Sequence, residues 1–406
     1  MKLTMADLGA RLLCLCVCSC ACACDSKTPV EAPASEALVE SEAAAGETVP
    51  AKLPAPPGEA GPILIRLQSA FPTQIFASAA SEQFIALGMQ SDTRDVSLCP
   101  KTELPVCFRG FAVISERMNP NQTKSVVLYE SDTQSGSRVD DVAAVGSRFV
   151  FALNEGRYVG DTAEARLVVV DENASILREV SLSSAELHIT QAVLRPWGDG
   201  QVLVCASFEP STGRPGIKCD AFDLETGKLS GVATIQAKHP VRSFDIGVSG
   251  NRALAVWNEA GYEKAVFLSA PGDSIELGLA TAARPSVAAG LDAFAVAWQG
   301  DDALIHIDRV PFKADLKSLE RKSLILSGLD HRTIGSLVAM SEGYVFAFRH
   351  QNTQQLALIS TAFDEWHLVE HSDSWRMMGG YASLDIQEAH TGRIIWQTVE
   401  SLIGTR

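Results

Sequence analysis

The sequence predicts an all-β fold in which one four-stranded unit is used several times over. Three observations carry that expectation. Short apolar runs, bounded by Gly, Asp, Asn and Pro, recur along most of the chain, and runs of this length read as strands rather than helices. The strongest of them, FVFAL, VLVCA, ALAVW, FAVAW and YVFAF, return at intervals of roughly fifty residues, the period of a four-stranded propeller blade. The last unit, Tyr381 to Ile386 and Ile394 to Thr398, is short of strands, while Ile63-Leu-Ile-Arg-Leu-Gln stands alone ahead of the first. A ring that borrows one terminal strand explains both facts, because an open ring would expose sheet edges. The expectation is a β-propeller over residues 62–406, of seven blades with six and eight as the neighbouring counts. It is closed by the N-terminal strand Ile63–Gln68, paired in the blade of Tyr381 and Ile394.

The units follow in order. The first joins Gln74–Ser78, Phe84–Leu87, Phe111–Ile114 and Ser125–Tyr129, and the second Val142–Val145, Phe149–Leu153, Arg166–Val170 and Ile176–Val180. Gln191–Leu194, Val202–Ala206, Lys218–Phe222 and a strand near Val232–Ile235 make the third. The fourth has Phe244–Val248, Ala253–Trp257 and Ala265–Leu268, with a stunted fourth strand. The fifth runs through Ala283–Val310 and closes on Ser323–Leu326. The sixth has Ile334–Met340, Tyr344–Phe348, Leu356–Ile359 and Trp366–Val369. In each unit the second strand need not alternate, since a strand covered on both faces reads as continuously apolar. Trp257, Trp298 and Phe348 take equivalent places there, which assigns them to packing between blades.

Ahead of the blades lie two segments of different character. Lys2 and Arg11 precede LLCLCVCSCACAC, a basic region followed by an apolar one too short to span a bilayer, so residues 1–24 read as a secretory signal. Its close on small residues and Cys is that of a lipoprotein signal. Val17 and Ser19 favour Cys20 as the lipidated residue, and Ala21 and Ala23 favour Cys24; both stay open. Residues 25–61 hold six prolines, seven acids, two lysines and no aromatic side chain. Such a stretch buries too little apolar surface to offset its ordering entropy and reads as a disordered tether. The predicted setting is therefore export, with a membrane anchor, in the periplasm or at the surface of a bacterium.

A net charge of −15 excludes nucleic acid as a partner, since phosphate binding needs clustered Lys and Arg. Of ten cysteines, four lie in the folded body: Cys99, Cys107, Cys205 and Cys219. In an oxidising compartment the short loops favour Cys99–Cys107 and Cys205–Cys219, the latter on successive strands of one hairpin.

The unit resembles the degenerate propeller repeats of uncharacterised bacterial lipoproteins. A remoter likeness is to quinoprotein repeats, through Ala221-Phe-Asp-Leu-Glu-Thr-Gly227, which has Gly231 where that repeat has Trp, and through Thr391-Gly392 with Trp396. Thr-Gly also suits any hairpin turn that needs positive φ, and no cofactor is expected.

Chemical motifs are few. His367-Leu-Val-Glu-His371 spells an inverted zincin signature, but its flanks read as a strand, where residues four apart lie some 13 Å apart and cannot share one zinc. Asp140-Asp141 and Asp301-Asp302 are acid pairs without a catalytic context, and no metal site is predicted. The pattern that stands out is basic. Arg138, Arg242, Arg284, Arg332 and Arg376 each open an inner strand, and His188 holds the comparable place in unit three. In a propeller these starts ring one mouth of the channel, where guanidinium groups either bind an anion or pair with acids such as Asp141 or Asp245.

Two function classes follow. One is a lipid-anchored binding or scaffold propeller, with an unknown protein or anionic carbohydrate as ligand. The other is an enzyme at the channel mouth, a lyase or hydrolase on acidic polysaccharide, for which His188, His239 and His331 are the available bases.

Overall fold

The computed structural model describes residues 63–66, 73–93, 107–131, 138–155, 164–184, 187–281, 283–312, 316, 322–326, 335–340, 343–350, 353–371, 375–377, 383–388 and 393–398. They form 28 strands, and among them there is no α-helix. The signal and tether assigned to residues 1–24 and 25–61, including Cys20 and Cys24, lie outside them, as do Cys99, His331 and Arg332.

Six antiparallel sheets are each built from four consecutive strands. Blade 1 holds β2 (Thr73–Ala80), β3 (Phe84–Thr93), β4 (Cys107–Glu116) and β5 (Asn119–Ser131). Blade 2 holds β6 (Arg138–Val145), β7 (Arg148–Glu155), β8 (Glu164–Val170) and β9 (Ile176–Ser181). Blade 3 holds β10 (Leu187–Pro196), β11 (Gln201–Pro210), β12 (Gly216–Asp223) and β13 (Leu229–Gln236). Blade 4 holds β14 (Val241–Ser249), β15 (Arg252–Glu259), β16 (Tyr262–Phe267) and β17 (Ile275–Leu279). Blade 5 holds β18 (Ser286–Ala289), β19 (Ala293–Gln299), β20 (Ile305–Pro311) and β21 (Lys322–Leu326). Blade 6 holds β22 (Gly335–Met340), β23 (Gly343–His350), β24 (Thr353–Ser360) and β25 (Trp366–His371). A seventh sheet joins β1 (Ile63–Arg66) to β28 (Arg393–Thr398), which continues through β27 (Ser383–Glu388) to β26 (Trp375–Met377). In it Ile63 faces Trp396 and Ile65 faces Ile394. Successive first strands, from β2 through β6, β10, β14 and β18 to β22, pack against one another around the channel of this β-propeller.

The stunted fourth strand expected in blade 4 is β17, five residues long, where Glu276, Gly278 and a half-exposed Leu279 obscure the alternation. One detail differs from the sequence reading. The inner strand of the last blade is the three-residue β26, too short to leave a periodic signal.

The core is divided among the gaps between blades. Along β7, Phe149, Phe151 and Leu153 pack toward blade 1, while Val150 and Ala152 pack toward blade 3. On β15, Ala253, Ala255 and Trp257 face blade 3, and Leu254 and Val256 face blade 5. This is the two-residue period of a strand with both faces covered, and it explains why these runs contain no polar residue. Trp257 and Phe348 are each 1% exposed and Trp298 7%, so all three fill gaps between blades. Gly146 and Gly250 adopt positive φ in the equivalent turns that lead into β7 and β15, a conformation Gly takes at little cost.

Cys205 and Cys219 face each other across β11 and β12 and form a disulfide, both fully buried. The bond spans 14 residues and adds about 2–4 kcal/mol on the chain-entropy account. The other expected bond, Cys99–Cys107, lies outside the described side chains.

Candidate functional site

An inner strand has a partner on one side only, so its other edge presents unpaired N–H and C=O groups to the next blade. The channel side of this protein is built around that problem. The residue opposite the fourth position of the second-strand run is Ser78 in blade 1, Asp141 in blade 2, Val193 in blade 3, Asp245 in blade 4, Ser286 in blade 5 and Ser336 in blade 6. In blades 2, 4 and 5 this residue accepts a hydrogen bond from the next blade. The Leu194 N–H donates to Asp141 Oδ2 at 3.0 Å, the Val287 N–H to Asp245 Oδ2 at 2.8 Å, and the Leu337 N–H to Ser286 Oγ at 2.9 Å.

Blade 3 breaks the rule, because Val193 has nothing to accept with. Arg195, two residues on along the same face, replaces it. Its Nε donates to the Ile246 carbonyl at 2.8 Å, one terminal nitrogen to Asp141 at 2.8 Å and the other to Asp245 at 2.5 Å. One planar guanidinium thus ties blades 2, 3 and 4, a use for which a lysine point charge would not serve. The three side chains are nearly closed to solvent, at 13%, 10% and 7% exposure. Burial works to lower the basicity of Arg195, but the two carboxylates outweigh it and hold its pKa above the ordinary arginine value.

Asp140 shows how the backbone serves the site. The β6–β7 register slips between Val139 and Asp141, leaving Asp140 as a bulge. A bulge re-aims side chains that would otherwise alternate, so two consecutive acids both face blade 3. Asp140 accepts from the Ala192 N–H at 2.9 Å and from Arg138, whose other arm donates to the Thr190 carbonyl at 3.1 Å. Burial raises the Asp140 pKa; Arg138 and Arg284 both pull it back, so two guanidiniums from blades 2 and 5 act on one carboxylate at this mouth. The same slip occurs at Phe76, Thr190 and Arg242 in β2, β10 and β14. These bulges left no signal in the sequence.

The basic residues expected here divide into distinct groups. Arg138 is committed to Asp140 and blade 3. Arg284, 42% exposed, comes within 3.8 Å of Asp245, which is already engaged by Arg195 and Val287. Arg242 is exposed on its bulge and has no partner among the described residues. His188 lies half-buried near the start of β10, opposite Glu209. Arg376 lies on β26, with its side chain outside the described set. Sequence reasoning named Asp141 and Asp245 as acids for the mouth arginines to pair with, but missed Arg195, the arginine that joins them, and gave Asp140 no role. The legible signal was a charged residue at the end of an inner strand whose usual polar position had become Val193.

The other motifs are scattered over the fold. His367 and His371 fall on β25, an outer strand, and among the described residues no group of His, Cys, Asp and Glu could hold a metal. His239 is exposed in the connection to β14, where its N–H donates to Glu259 at 3.2 Å. Asp301 and Asp302 are exposed in a turn.

The fold and its channel belt define a β-propeller. No protein-family model matches the sequence, and no curated protein matches it. Among solved structures, the chain is similar to the Cps50 (Swd1) β-propeller domain of Myceliophteria thermophila, at 16% identity over 83% of this chain and 99% of that one, with a TM-score of 0.49. It is also similar to YCF48 bound to D1 peptide, at 12% identity over 84% and 96% with a TM-score of 0.46. TolB from Acinetobacter baumannii matches at 12% identity over 71% and 76%, with a TM-score of 0.38.

Proposed function

We propose that this protein is a lipid-anchored, extracytoplasmic binding or scaffold propeller whose channel mouth receives an anionic group, such as a carboxylate, sulfate or acidic sugar. The observation that carries the ligand half is the division of labour among the guanidiniums. Arg195 and Arg138 donate hydrogen bonds to neighbouring blades, whereas Arg242 and Arg284, exposed on adjacent inner segments, make none among the described residues. A planar, permanently charged fork in that position suits bidentate recognition of an oxyanion.

Thermal unfolding in the presence of sulfate, citrate and a uronic acid oligosaccharide tests it. At least one anion should raise the melting temperature saturably, and Arg284→Glu should abolish that response. If Arg284→Glu lowers stability equally with and without anions, and no anion shifts the wild type, Arg284 only supports Asp245 and the ligand site is wrong.

The anchor half is supported by the basic and apolar start, the small residues before Cys20 and Cys24, and the acidic tether. The Cys205–Cys219 bond suits an oxidising compartment outside the cytoplasm. Labelled palmitate should enter the protein in its native host and be lost only when the acylated cysteine is replaced. A wild-type protein that takes up no label would overturn the anchor.

A further inference from the structure

Glu263 on β16 stands directly across from Asn258 on β15. The register is set by the two-residue turn Ala260–Gly261, both at positive φ. Glu263 is 1% exposed and Asn258 0%. At the equivalent place blades 2, 3 and 5 have apolar residues: Ala165 across from Asn154, Ile217 across from Ser207, and Ile305 across from Gln299. A carboxyl group occupies a position that blades 2, 3 and 5 fill with alkyl side chains.

The surroundings offer little to a charge. Asn258 Nδ2 lies 3.5 Å from Glu263 Oε2 and also donates to the Thr281 carbonyl at 2.9 Å. Glu263 Oε1 and Asn258 Oδ1 are both buried without a hydrogen-bond partner. On the far side β17 sets Gly278 against Glu263, and Trp298 of blade 5 packs over Gly278, so neither neighbour brings a charge. The other ionisable groups of the hairpin are committed elsewhere, with Lys264 Nζ 3.1 Å from Glu259 and 4.0 Å from Glu276. Burial pushes the Glu263 carboxyl up to about 8, against the pull of the Asn258 amide.

Glu259, one cross-strand pair away, is the contrasting case. It too is buried, at 2% exposure, but accepts from Trp257 Nε1, the Lys238 and His239 N–H groups and Lys264 Nζ. Burial opposes its charge, yet these donors hold it below the usual glutamate range. Glu263 has no such set. Two acceptor oxygens on cross-strand neighbours, each lacking a donor, fit one missing proton.

We propose that Glu263 is carried as the neutral acid in a reciprocal pair with the Asn258 amide, its O–H donating to Oδ1 while Nδ2 donates back, and that its ionisation loosens the joint between blades 4 and 5. Asn258 Nδ2 holds the Thr281 carbonyl, and Ser243 Oγ holds the Ala283 carbonyl at 3.3 Å, just ahead of Arg284. A carboxylate competes for that Nδ2 and repels Oδ1, which draws the amide off the connection. The switch therefore acts on the segment that carries Arg284.

The direction with pH follows from linkage. The folded acid keeps its proton to about 8, whereas an unfolded glutamate loses it near 4.3. Between those values the folded state binds more protons, so stability is complete at the acid end and falls as pH rises. The folding equilibrium should weaken by up to about tenfold per pH unit and level off above the folded pKa.

The test is a pH titration of full-length wild-type protein carrying ¹³C-labelled glutamate, read at the side-chain carboxyl carbons by NMR, with Glu263→Gln to assign the signal. One resonance should titrate near pH 8 and be absent from Glu263→Gln. The variant should also lack the fall in melting temperature that the wild type shows from pH 5 to 8. If every glutamate titrates in the ordinary range, or the two melting curves run parallel across pH, the neutral pair does not exist. Should Glu263→Gln fail to fold, the wild-type resonance alone decides.

Discussion

Replacing Arg195 with alanine is expected to lower the stability of the protein by about 3–5 kcal/mol, the cost of breaking a buried ion pair from one side. Three losses combine at this position. Asp141 and Asp245 are left in a nearly dry gap, Asp141 with only its backbone donors and Asp245 with the Val287 N–H and Arg284 at 3.8 Å. The Ile246 carbonyl loses the Nε–H that satisfies it. The joints from blade 2 to blade 3 and from blade 3 to blade 4 are weakened by one substitution. Arg195→Lys should recover only part of the loss, since a single ammonium cannot meet two carboxylates and a carbonyl in one plane.

Denaturant unfolding measured by far-ultraviolet circular dichroism reads these differences. The decisive comparison is a double substitution. Asp245→Asn alone should destabilise, because Arg195 then loses one of its two carboxylates, whereas Asp245→Asn on top of Arg195→Met should cost less than the sum, because one of the two carboxylates stranded by the loss of Arg195 has gone. Additive effects would mean that the three groups do not act as a unit, and the account of the belt would fail.

The arrangement also explains what a reader of the sequence can and cannot recover. The second strands were legible because both of their faces are covered, so their runs FVFAL, ALAVW and FAVAW carry no polar interruption. The Cys205–Cys219 bond was legible because cross-strand partners in a hairpin follow from strand position. β17 was legible only as a stunted strand, because Glu276 and Gly278, which an outer strand tolerates, interrupt it, and β26 was hidden by its three-residue length.

At the channel the limit was different. Asp140 and Asp141 are neighbours in sequence and, in a regular strand, would point to opposite faces. Only the bulge makes both face blade 3, and a bulge is a property of register between strands. Arg195 was invisible for a related reason. Its role exists because Val193 occupies a place that is Asp141, Asp245 or Ser286 in other blades. That equivalence appears only when strand partners are known. The arginines chosen by position, Arg138, Arg242 and Arg284, do stand at or beside inner strands, but the charge that locks the blades lies seven residues beyond His188.

Trp257→Ala should destabilise by a similar amount, about 3–5 kcal/mol, through the cavity it leaves. The indole is 1% exposed in the gap between blades 3 and 4, among Cys205, Ile217, Cys219 and Phe244. Strands on both sides fix the gap, so it cannot collapse to fill the void. The Nε1–H donates to Glu259 Oε2 at 3.2 Å, which adds a polar loss to the apolar one. Trp257→Phe separates the two. It keeps most of the volume and removes the donor to a buried carboxylate, and should cost about 1.5–3 kcal/mol, the value of a hydrogen bond to a charged group. Chemical denaturation of both variants gives the comparison. A loss below about 1 kcal/mol for Trp257→Ala would mean that the ring is not a packing element, and the assignment of the second-strand aromatics to the gaps between blades would fall with it.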